Sequence, residues 1–150
     1  MIGFLARVLG RFMFAGIFLA AAASHFQDIK GTGQKIHKSF PSELVGGLDN
    51  AVLIAVGLMG GGGFLVATGL LPRLGSLCLI AFLAPATYFV HFLAFKEATS
   101  DSQKKEEMIM CMKNAALLGG AFMLFGYECA LAAVQLAAPA SGKKSKNKSQ

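Results

Sequence analysis

The chain has 150 residues, of which 55% are hydrophobic and 15% charged, and its mean hydropathy is +0.58. Soluble domains carry about 25% charged residues, so this composition excludes a compact soluble domain, and its apolar content excludes a disordered chain. The net charge of +6 does not indicate nucleic-acid binding, because the basic residues flank apolar segments and no basic-aromatic pattern occurs. We therefore expect the lipid bilayer as the partner, with other membrane proteins as further candidates.

Four apolar segments follow one another along the chain. They cover about residues 2–26, 50–71, 74–95 and 108–130. The charge-free runs between Asp49 and Arg73, 23 residues, and between Arg73 and Lys96, 22 residues, can each cross a hydrocarbon core of about 30 Å. Pro72 and Arg73 leave room only for a tight turn, so the second and third segments form an antiparallel hairpin. The sequence predicts an all-α, polytopic four-helix bundle in up-down-up-down order, formed by residues 1–138 as one membrane domain.

The first segment also fits two targeting signals. Arg7 and Arg11 precede an apolar run that ends in the small residues Ala21 and Ala23, which is typical of a signal peptide cut after Ala23. No acidic residue precedes Asp28, as in an organellar presequence. A permanent first span, a cleaved signal peptide and a presequence therefore stay open as alternatives.

The basic residues bear on the orientation in the membrane, and those at the end of the chain resemble a sorting signal. The basic residues divide equally between the two sides of a four-span bundle, so the positive-inside rule chooses no orientation. Residues 139–150 are rich in Lys and Ser and predict a disordered basic tail. Lys146 and Lys148 have the spacing of a dilysine retrieval signal, which is read in the cytosol. We expect an endoplasmic-reticulum protein with both termini cytosolic; an organellar membrane and the plasma membrane are the alternatives.

Small residues predict where two of the helices meet. Gly57 and Gly61 form a small-xxx-small pair on the second segment, and Ala116 and Gly120 form one on the fourth. Such pairs let membrane helices approach closely, so we predict that these two helices pack together there. A phosphate-binding loop is the less favoured interpretation, because it needs a loop beside a helix start rather than the interior of a span.

Polar side chains gather at the helix ends on the side opposite the tail. We predict a polar rim cluster there, formed by Asp28, Asp49, Asn50, Tyr88 and Asn114. His25, His91 and Lys113 are the candidate cofactor-binding residues of the same region, because two imidazoles on neighbouring helices suit a haem, a metal or a proton relay. The alternative, which we favour, is a hydrated rim, because helix ends are where polar residues cost least in a membrane protein. No cofactor and no metal are therefore expected.

The remaining polar residues carry no catalytic pattern. The sequence has no Ser-His-Asp order, nucleotide fingerprint or HExxH motif, so we assign no catalytic residues and expect no catalysis by the chain itself. Cys78, Cys111 and Cys129 are widely separated and predict neither a disulfide framework nor a metal site. Glu128 either marks the point where the fourth helix leaves the membrane or is a buried carboxylate. Pro85 predicts a bend in the third helix.

Each of the four segments contains one or more short motifs of small and apolar residues. They are Leu9-Gly10-Arg11-Phe12-Met13-Phe14-Ala15, His25-Phe26, Ala67-Thr68-Gly69-Leu70-Leu71, Ala84-Pro85-Ala86-Thr87, Lys113-Asn114-Ala115-Ala116-Leu117-Leu118-Gly119 and Phe125-Gly126. With these motifs, about residues 9–127 resemble the DoxX-like superfamily and, within it, the plant-type HR-like lesion-inducing proteins. The quadruple glycine from Gly60 to Gly63 departs from that pattern.

The resemblance implies a function only in outline. The lesion-inducing branch is associated with cell death and defence responses, so we expect a non-catalytic multi-pass membrane protein in stress or cell-death response or membrane homeostasis. Another branch includes a subunit linked to thiosulfate oxidation with quinone as acceptor. A membrane subunit of a quinone-linked oxidoreductase, with His25, His91 and Lys113 as the residues to test, is therefore one alternative. An endoplasmic-reticulum cargo or trafficking receptor is the other, and Lys146 and Lys148 favour it.

Overall fold

The computed structural model describes the backbone of residues 2–146 and the side chains of residues 2–136. This part of the chain is helical and contains no β-strand. The α-helices are α1 (Ile2–Gln27), α2 (Ile29–Gly33), α3 (Leu48–Thr68), α4 (Pro72–Ala86), α5 (Leu93–Glu97) and α6 (Asp101–Lys146), with a 3-10 helix at Ser42–Val45 and a π-helix at Thr87–Phe92. The π-helix joins α4 to α5 without a break. The predicted all-α four-helix bundle is confirmed.

Four helices are long and apolar enough to cross a membrane. They are Ile2–Gln27, Leu48–Thr68, Pro72–Glu97 and Asp101–Leu136. Large apolar side chains such as Phe12, Met13 and Met123 point outward, as expected where lipid rather than water surrounds the bundle. The protein is therefore a multi-pass membrane protein. The side chain of Lys146 and all of Lys148 lie outside the described residues, so the sorting signal and the tail stay predictions.

The helices pack in chain order around the bundle. α1 packs on α3, α3 on α4, and α4 on α6, so helices adjacent in sequence are adjacent in space. The turn between α3 and α4 is short because Gly69, at φ +72°, ends α3 and Pro72 begins α4. Within the described residues, the fourth side of the bundle, between α1 and α6, has side-chain contacts but no close backbone contact. α3 and α6 therefore lie diagonally opposite each other.

The main cluster of buried side chains takes residues from three of the four spanning helices. Ala15, Phe18 and Ala22 of α1 pack with Met59 and Val66 of α3 and with Leu79 and Leu83 of α4, and all seven are buried. Leu117, Leu118 and Leu124 of α6 cover this cluster. The first segment therefore belongs to the bundle in this structure.

Glycines set how closely the neighbouring helices approach. A Cβ atom on Gly75 of α4 would lie 2.7 Å from the carbonyl oxygen of Gly62 on α3, so a larger residue there would push the two backbones apart. On the other side of α3, a Cβ on Gly63 would lie 3.4 Å from the carbonyl oxygen of Ala15 on α1. The glycine-rich face of α3 thus packs against α4 and α1.

The structure corrects the predicted contact between the second and fourth segments. A Cβ on Gly57 or Gly61 would meet nothing within 4 Å, and one on Gly120 would meet the Phe14 ring of α1. Within the described residues, α3 and α6 do not pack together, and Ala116 is exposed. The prediction was wrong because small residues lie on several faces of α3, and spacing alone does not choose the face that the fold buries.

The segment between α1 and α3, residues 28–47, folds over one end of the bundle, and we call it the lid. The backbone N–H of His37 donates to the carbonyl oxygen of Phe89 at 3.0 Å, and the Phe40 ring packs edge-on against the Phe89 ring, 5.2 Å between centroids. The His37 Nε2 atom lies 3.0 Å from Glu97 Oε1. The lid is thereby fixed to the π-helix and to α5.

Candidate functional site

A cavity of about 500 Å³ lies beneath the lid, between the spanning helices. Its wall is mainly apolar and includes Phe18, Met59, Leu83 and Leu117. Along α1 it runs from Ile17 to His25, and the eight steps between these residues correspond to about 12 Å. This volume falls in the range of small-molecule sites, which are mostly apolar with a few convergent polar groups.

The polar groups of the cavity lie at its lid end. They are His25, Thr32, Lys35, His91, Lys113 and Asn114. The two ammonium groups only donate hydrogen bonds, and the imidazole, hydroxyl and amide groups can also donate. A ligand with an apolar body and an oxygen-rich head that accepts hydrogen bonds would match this arrangement.

His25 is positioned by the beginning of the lid. The Nδ1 atom of His25 and the Oγ1 atom of Thr32 are 3.3 Å apart, within hydrogen-bond distance. Thr32 is held in α2, whose first turn is capped by Asp28, because the Gly31 N–H donates to the Asp28 carboxylate at 2.9 Å. The ring is thus held through Nδ1, which leaves Nε2 as the atom for a ligand.

His91 owes its position to the π-helix that follows Pro85. Proline has no N–H, so the regular hydrogen-bond ladder of α4 is interrupted two residues before the π-helix starts at Thr87. The Thr87 hydroxyl donates to the carbonyl oxygen of Leu83 at 2.6 Å, and this oxygen also accepts from the Thr87 backbone N–H. A π-turn changes the direction of the side chains that follow it, and such turns often occur at functional sites. His91 consequently faces the cavity, and its Nδ1 lies 2.8 Å from Glu107 Oε2 on α6.

The structure brings together the three residues that were predicted as ligand-binding candidates. His25 of α1, His91 of the π-helix and Lys113 of α6 all line the cavity, together with Asn114. They come from three different elements that surround one cavity, and within the described residues the two histidines lie on helices that do not pack against each other, contrary to the prediction of neighbouring helices.

The other members of the predicted rim cluster lie outside this cavity. Asp28 caps α2, and the Asn50 side-chain amide donates to the carbonyl oxygen of Gly46 at 3.1 Å. Tyr88 stacks on Phe92 with ring centroids 5.7 Å apart, and Asp49 is exposed in the first turn of α3. The cluster is therefore divided between cavity residues and exposed residues that stabilise local turns.

Three contributors to this site were not identified from the sequence. Thr32 and Lys35 lie in the lid, which has no clear periodicity, so nothing in the sequence placed their side chains. Glu107 precedes the predicted fourth span and is 16 residues from His91. Only the nearby Pro85 signalled that the helix around His91 is irregular.

A second polar contact lies at the opposite end of the bundle. Arg11 of α1 forms a salt bridge with Glu128 of α6, and their side chains are only 14% and 9% exposed. Arg11 also packs on Gly69, where a Cβ atom would lie 2.5 Å from the guanidinium nitrogen Nη1. Glu128 is therefore a buried, paired carboxylate.

The described residues contain no group of three or more His, Cys, Asp or Glu side chains that could hold a metal ion. Cys78, Cys111 and Cys129 are free thiols, each partly buried.

Comparison with known proteins gives one match. No curated protein and no solved structure matches the chain. The sequence profile of the DoxX family matches residues 6–92, more than half of the chain. The matched region runs from the first helix through the π-helix and so includes His25, the lid and His91. The chain therefore belongs to the DoxX family.

Proposed function

We propose that this protein is a non-catalytic membrane protein that holds a small amphipathic molecule in the cavity under the lid. The observation that carries this proposal is that His25, His91 and Lys113 line one mainly apolar cavity. A role in stress or cell-death response or in membrane homeostasis is part of the proposal, and the resemblance to lesion-inducing proteins supports it.

The apolar wall and the polar groups of the cavity would bind different parts of the ligand. Burial of an apolar chain or ring against Phe18, Met59 and Leu117 replaces lipid contacts with protein contacts and contributes shape selectivity. Hydrogen bonds to the head group fix its orientation, and they are strengthened by the low dielectric constant of the surroundings. Lys35 and Lys113 favour a head group with partial or full negative charge.

A binding measurement tests the proposal. Protein in lipid nanodiscs is titrated with decyl-ubiquinone in one arm and with oleate in another, and bound probe is quantified by mass spectrometry. Saturable binding of either probe is expected, and the arm that binds distinguishes a quinone head from a carboxylate head. Lys113→Ala should weaken binding by about tenfold, the effect of losing one hydrogen bond of about 1.4 kcal/mol.

Lys105→Ala is the matched control for Lys113→Ala. Lys105 lies on the same helix, is exposed and does not line the cavity, so its replacement should leave the affinity unchanged. Equal affinities of both variants, or no saturable binding of either probe to the unmodified protein, would refute the proposal.

A quinone-linked oxidoreductase subunit is the second candidate. Quinone carbonyl oxygens accept hydrogen bonds, and the ring and isoprenoid chain are apolar, so this ligand class suits the groups that meet at the lid end of the cavity. In this candidate a partner subunit supplies the electrons and this chain binds the acceptor. Quinone reduction by native membranes should fall in His91→Ala and persist in Lys105→Ala. A rate that is the same in both variants would exclude the candidate.

We further propose an endoplasmic-reticulum location with both termini cytosolic, supported by the spacing of Lys146 and Lys148. Replacing both residues with Ser should move the protein to later compartments, as seen by fluorescence microscopy. The same change at Lys143 and Lys144 is the control and should not. Proximity labelling with and without Lys146 and Lys148 tests the cargo-receptor alternative, in which the labelled secretory proteins should change. An unchanged location in the first variant would remove the basis for both ideas.

A further inference from the structure

We propose that the cavity receives its ligand sideways from the bilayer, through a gap between α1 and α6. The ligand class is therefore a membrane-dissolved amphiphile with one acyl or isoprenoid chain, rather than a water-soluble metabolite. This inference rests on the proposed function, because it concerns the way into the same cavity.

The gap follows from the packing order of the helices. The α1–α3, α3–α4 and α4–α6 sides of the bundle are packed closely, but within the described residues no Cα atom of α1 lies within 8 Å of one of α6. Ile17 and Ala21 on α1, and Met110 and Leu117 on α6, line the cavity from the two edges of this fourth side. The cavity is not enclosed. We infer that the cavity opens at this gap, because the described backbones of α1 and α6 do not meet there and residues of both helices line the cavity.

The lid closes the route from water. A ligand arriving from the aqueous side would have to separate Phe40 from Phe89 and break the hydrogen bond between the His37 N–H and the Phe89 carbonyl oxygen. It would also have to break the contact between His37 and Glu97. A ligand arriving from the bilayer breaks none of these contacts.

The far end of the gap is closed by side chains, which limits its height. Phe14 packs against Gly120, where a Cβ would lie 3.0 Å from the ring, and beyond it are the Arg11–Glu128 salt bridge and the contact of Arg7 with the Tyr127 ring, 6.0 Å from its centroid. The opening thus extends from Phe14 to His25, about 16 Å along α1.

The chemistry of the edges fits passage from lipid. Ile17, Ala21, Met110 and Leu117 are apolar, so a hydrocarbon chain can lie between them without losing hydrogen bonds. The cationic groups of Lys35 and Lys113 lie at the lid end, where the head group of a membrane amphiphile would be at the level of the bilayer surface. A chain in the hydrocarbon layer and a head at its boundary would enter together.

Cross-linking across the gap tests the inference. Cys78, Cys111 and Cys129 are changed to Ser, and Ala21→Cys is combined with Leu117→Cys. A flexible bifunctional thiol reagent then joins the two edges of the gap in nanodiscs. Uptake of decyl-ubiquinone, or of oleate if that probe binds, is followed in time after mixing with probe-loaded vesicles. Cross-linking before mixing should slow uptake by at least about tenfold, and cross-linking after loading should slow release to the same degree. The same protein treated with a monofunctional reagent, or reduced after cross-linking, is the control.

A second cross-link distinguishes the two routes. The Lys38 Nζ atom is 3.8 Å from Glu97 Oε1, so Lys38→Cys with Glu97→Cys can fasten the lid to α5. This lid cross-link should change the uptake rate by less than about twofold. Slower uptake with the fastened lid and unchanged uptake with the joined gap would overturn the inference in favour of entry from water. A cross-link between two chains in place of the intramolecular one would also overturn it, because a second copy would then cover the gap.

The outcomes separate this inference from the proposed function. Saturable binding with an uptake rate that is insensitive to the gap cross-link refutes the lateral route alone. Absence of saturable binding to the unmodified protein refutes the proposed function and, with it, the route.

Discussion

Single residues decide how charge is accommodated inside this bundle. Arg11 lies in the first span and Glu128 in the last, and each would be costly in hydrocarbon without the other. Their salt bridge pairs the two charges and connects α1 with α6, whose described backbones stay apart. Gly69 leaves the space that the guanidinium occupies. Arg11 therefore stabilises the bundle, in addition to being one of the basic residues counted for membrane orientation.

Breaking this pair should destabilise the protein. In Glu128→Gln the buried guanidinium loses its counter-charge, and we expect the free energy of unfolding to fall by about 3–5 kcal/mol. The double change Arg11→Leu with Glu128→Leu removes both charges and should recover most of that loss. Equilibrium unfolding in mixed micelles measures both effects.

Lys38→Ala is the control for that experiment. Lys38 is 82% exposed near Glu97, and replacing such a residue should change the stability by no more than about 1 kcal/mol. A Glu128→Gln protein as stable as Lys38→Ala would mean that the salt bridge contributes nothing to the fold.

At the scale of elements, close packing of helix backbones, and not the hydrophobic effect, decides which helices pair. Lipid is as apolar as the helix faces, so helices associate where small residues permit close contact. Gly62 and Gly63 bring α3 close to α4 and α1, whereas Gly57 and Gly61 lie on the outer surface of α3. The third span is irregular, because Pro85 interrupts the α-helical hydrogen bonds and a π-helix follows. His91 lies in this π-helix and lines the cavity.

Alanine substitutions at two glycines should separate these roles. Gly75→Ala forces its Cβ against the Gly62 carbonyl oxygen, and we expect a loss of about 1–3 kcal/mol from the strained α3–α4 interface. Gly57→Ala adds a methyl group where nothing lies within 4 Å, so stability should stay equal or rise by up to about 1 kcal/mol through helix propensity. Thermal unfolding of the two variants side by side provides the measurement. Equal destabilisation by both changes would contradict the assignment of the packing face.

The first helix should persist in the mature protein. Cleavage after Ala23 would remove Ala15, Phe18 and Ala22 from the buried core and leave the α1 side of α3 exposed. Peptide mass spectrometry of protein purified from membranes should therefore detect peptides from residues 12–23. A mature N-terminus at Ser24 would show that the segment is a signal peptide.

At the scale of the whole molecule, four spans give the bundle two chemically different ends. The end with the α3–α4 turn holds Arg11, Glu128 and Gly69, and the other end holds the lid and the polar groups of the cavity. The Arg11–Glu128 salt bridge and the polar groups of the cavity thus lie at opposite ends of the bundle. With the proposed orientation, the lid faces away from the cytosol.

Thiol labelling should place these ends on opposite sides of the membrane. In a background without Cys78, Cys111 and Cys129, Leu70→Cys lies in the exposed α3–α4 turn and Ser39→Cys in the exposed part of the lid. In sealed microsomes an impermeant maleimide should react with Leu70→Cys alone, and with both positions after the vesicles are opened. Reaction at Ser39→Cys alone would reverse the proposed orientation, and reaction at both in sealed vesicles would contradict the four-span topology.

The sequence by itself determined the fold class. Charge-free runs long enough to span a bilayer form helices there, because a helix pairs its backbone N–H and C=O groups within the segment. It also predicted His25, His91 and Lys113 as ligand-binding candidates, because polar residues near membrane spans are rare. Only the tertiary structure decided that Gly62 and Gly75, rather than Gly57 and Gly61, form a helix contact, since glycines on several faces of α3 satisfy the same spacing. It alone paired Arg11 with Glu128 and placed Thr32 and Lys35 beside the histidines. Arg11 and Glu128 are far apart in the chain, and the lid that holds Thr32 and Lys35 has no periodic pattern. Both sets of contacts therefore depend on how the four helices pack and not on the local sequence.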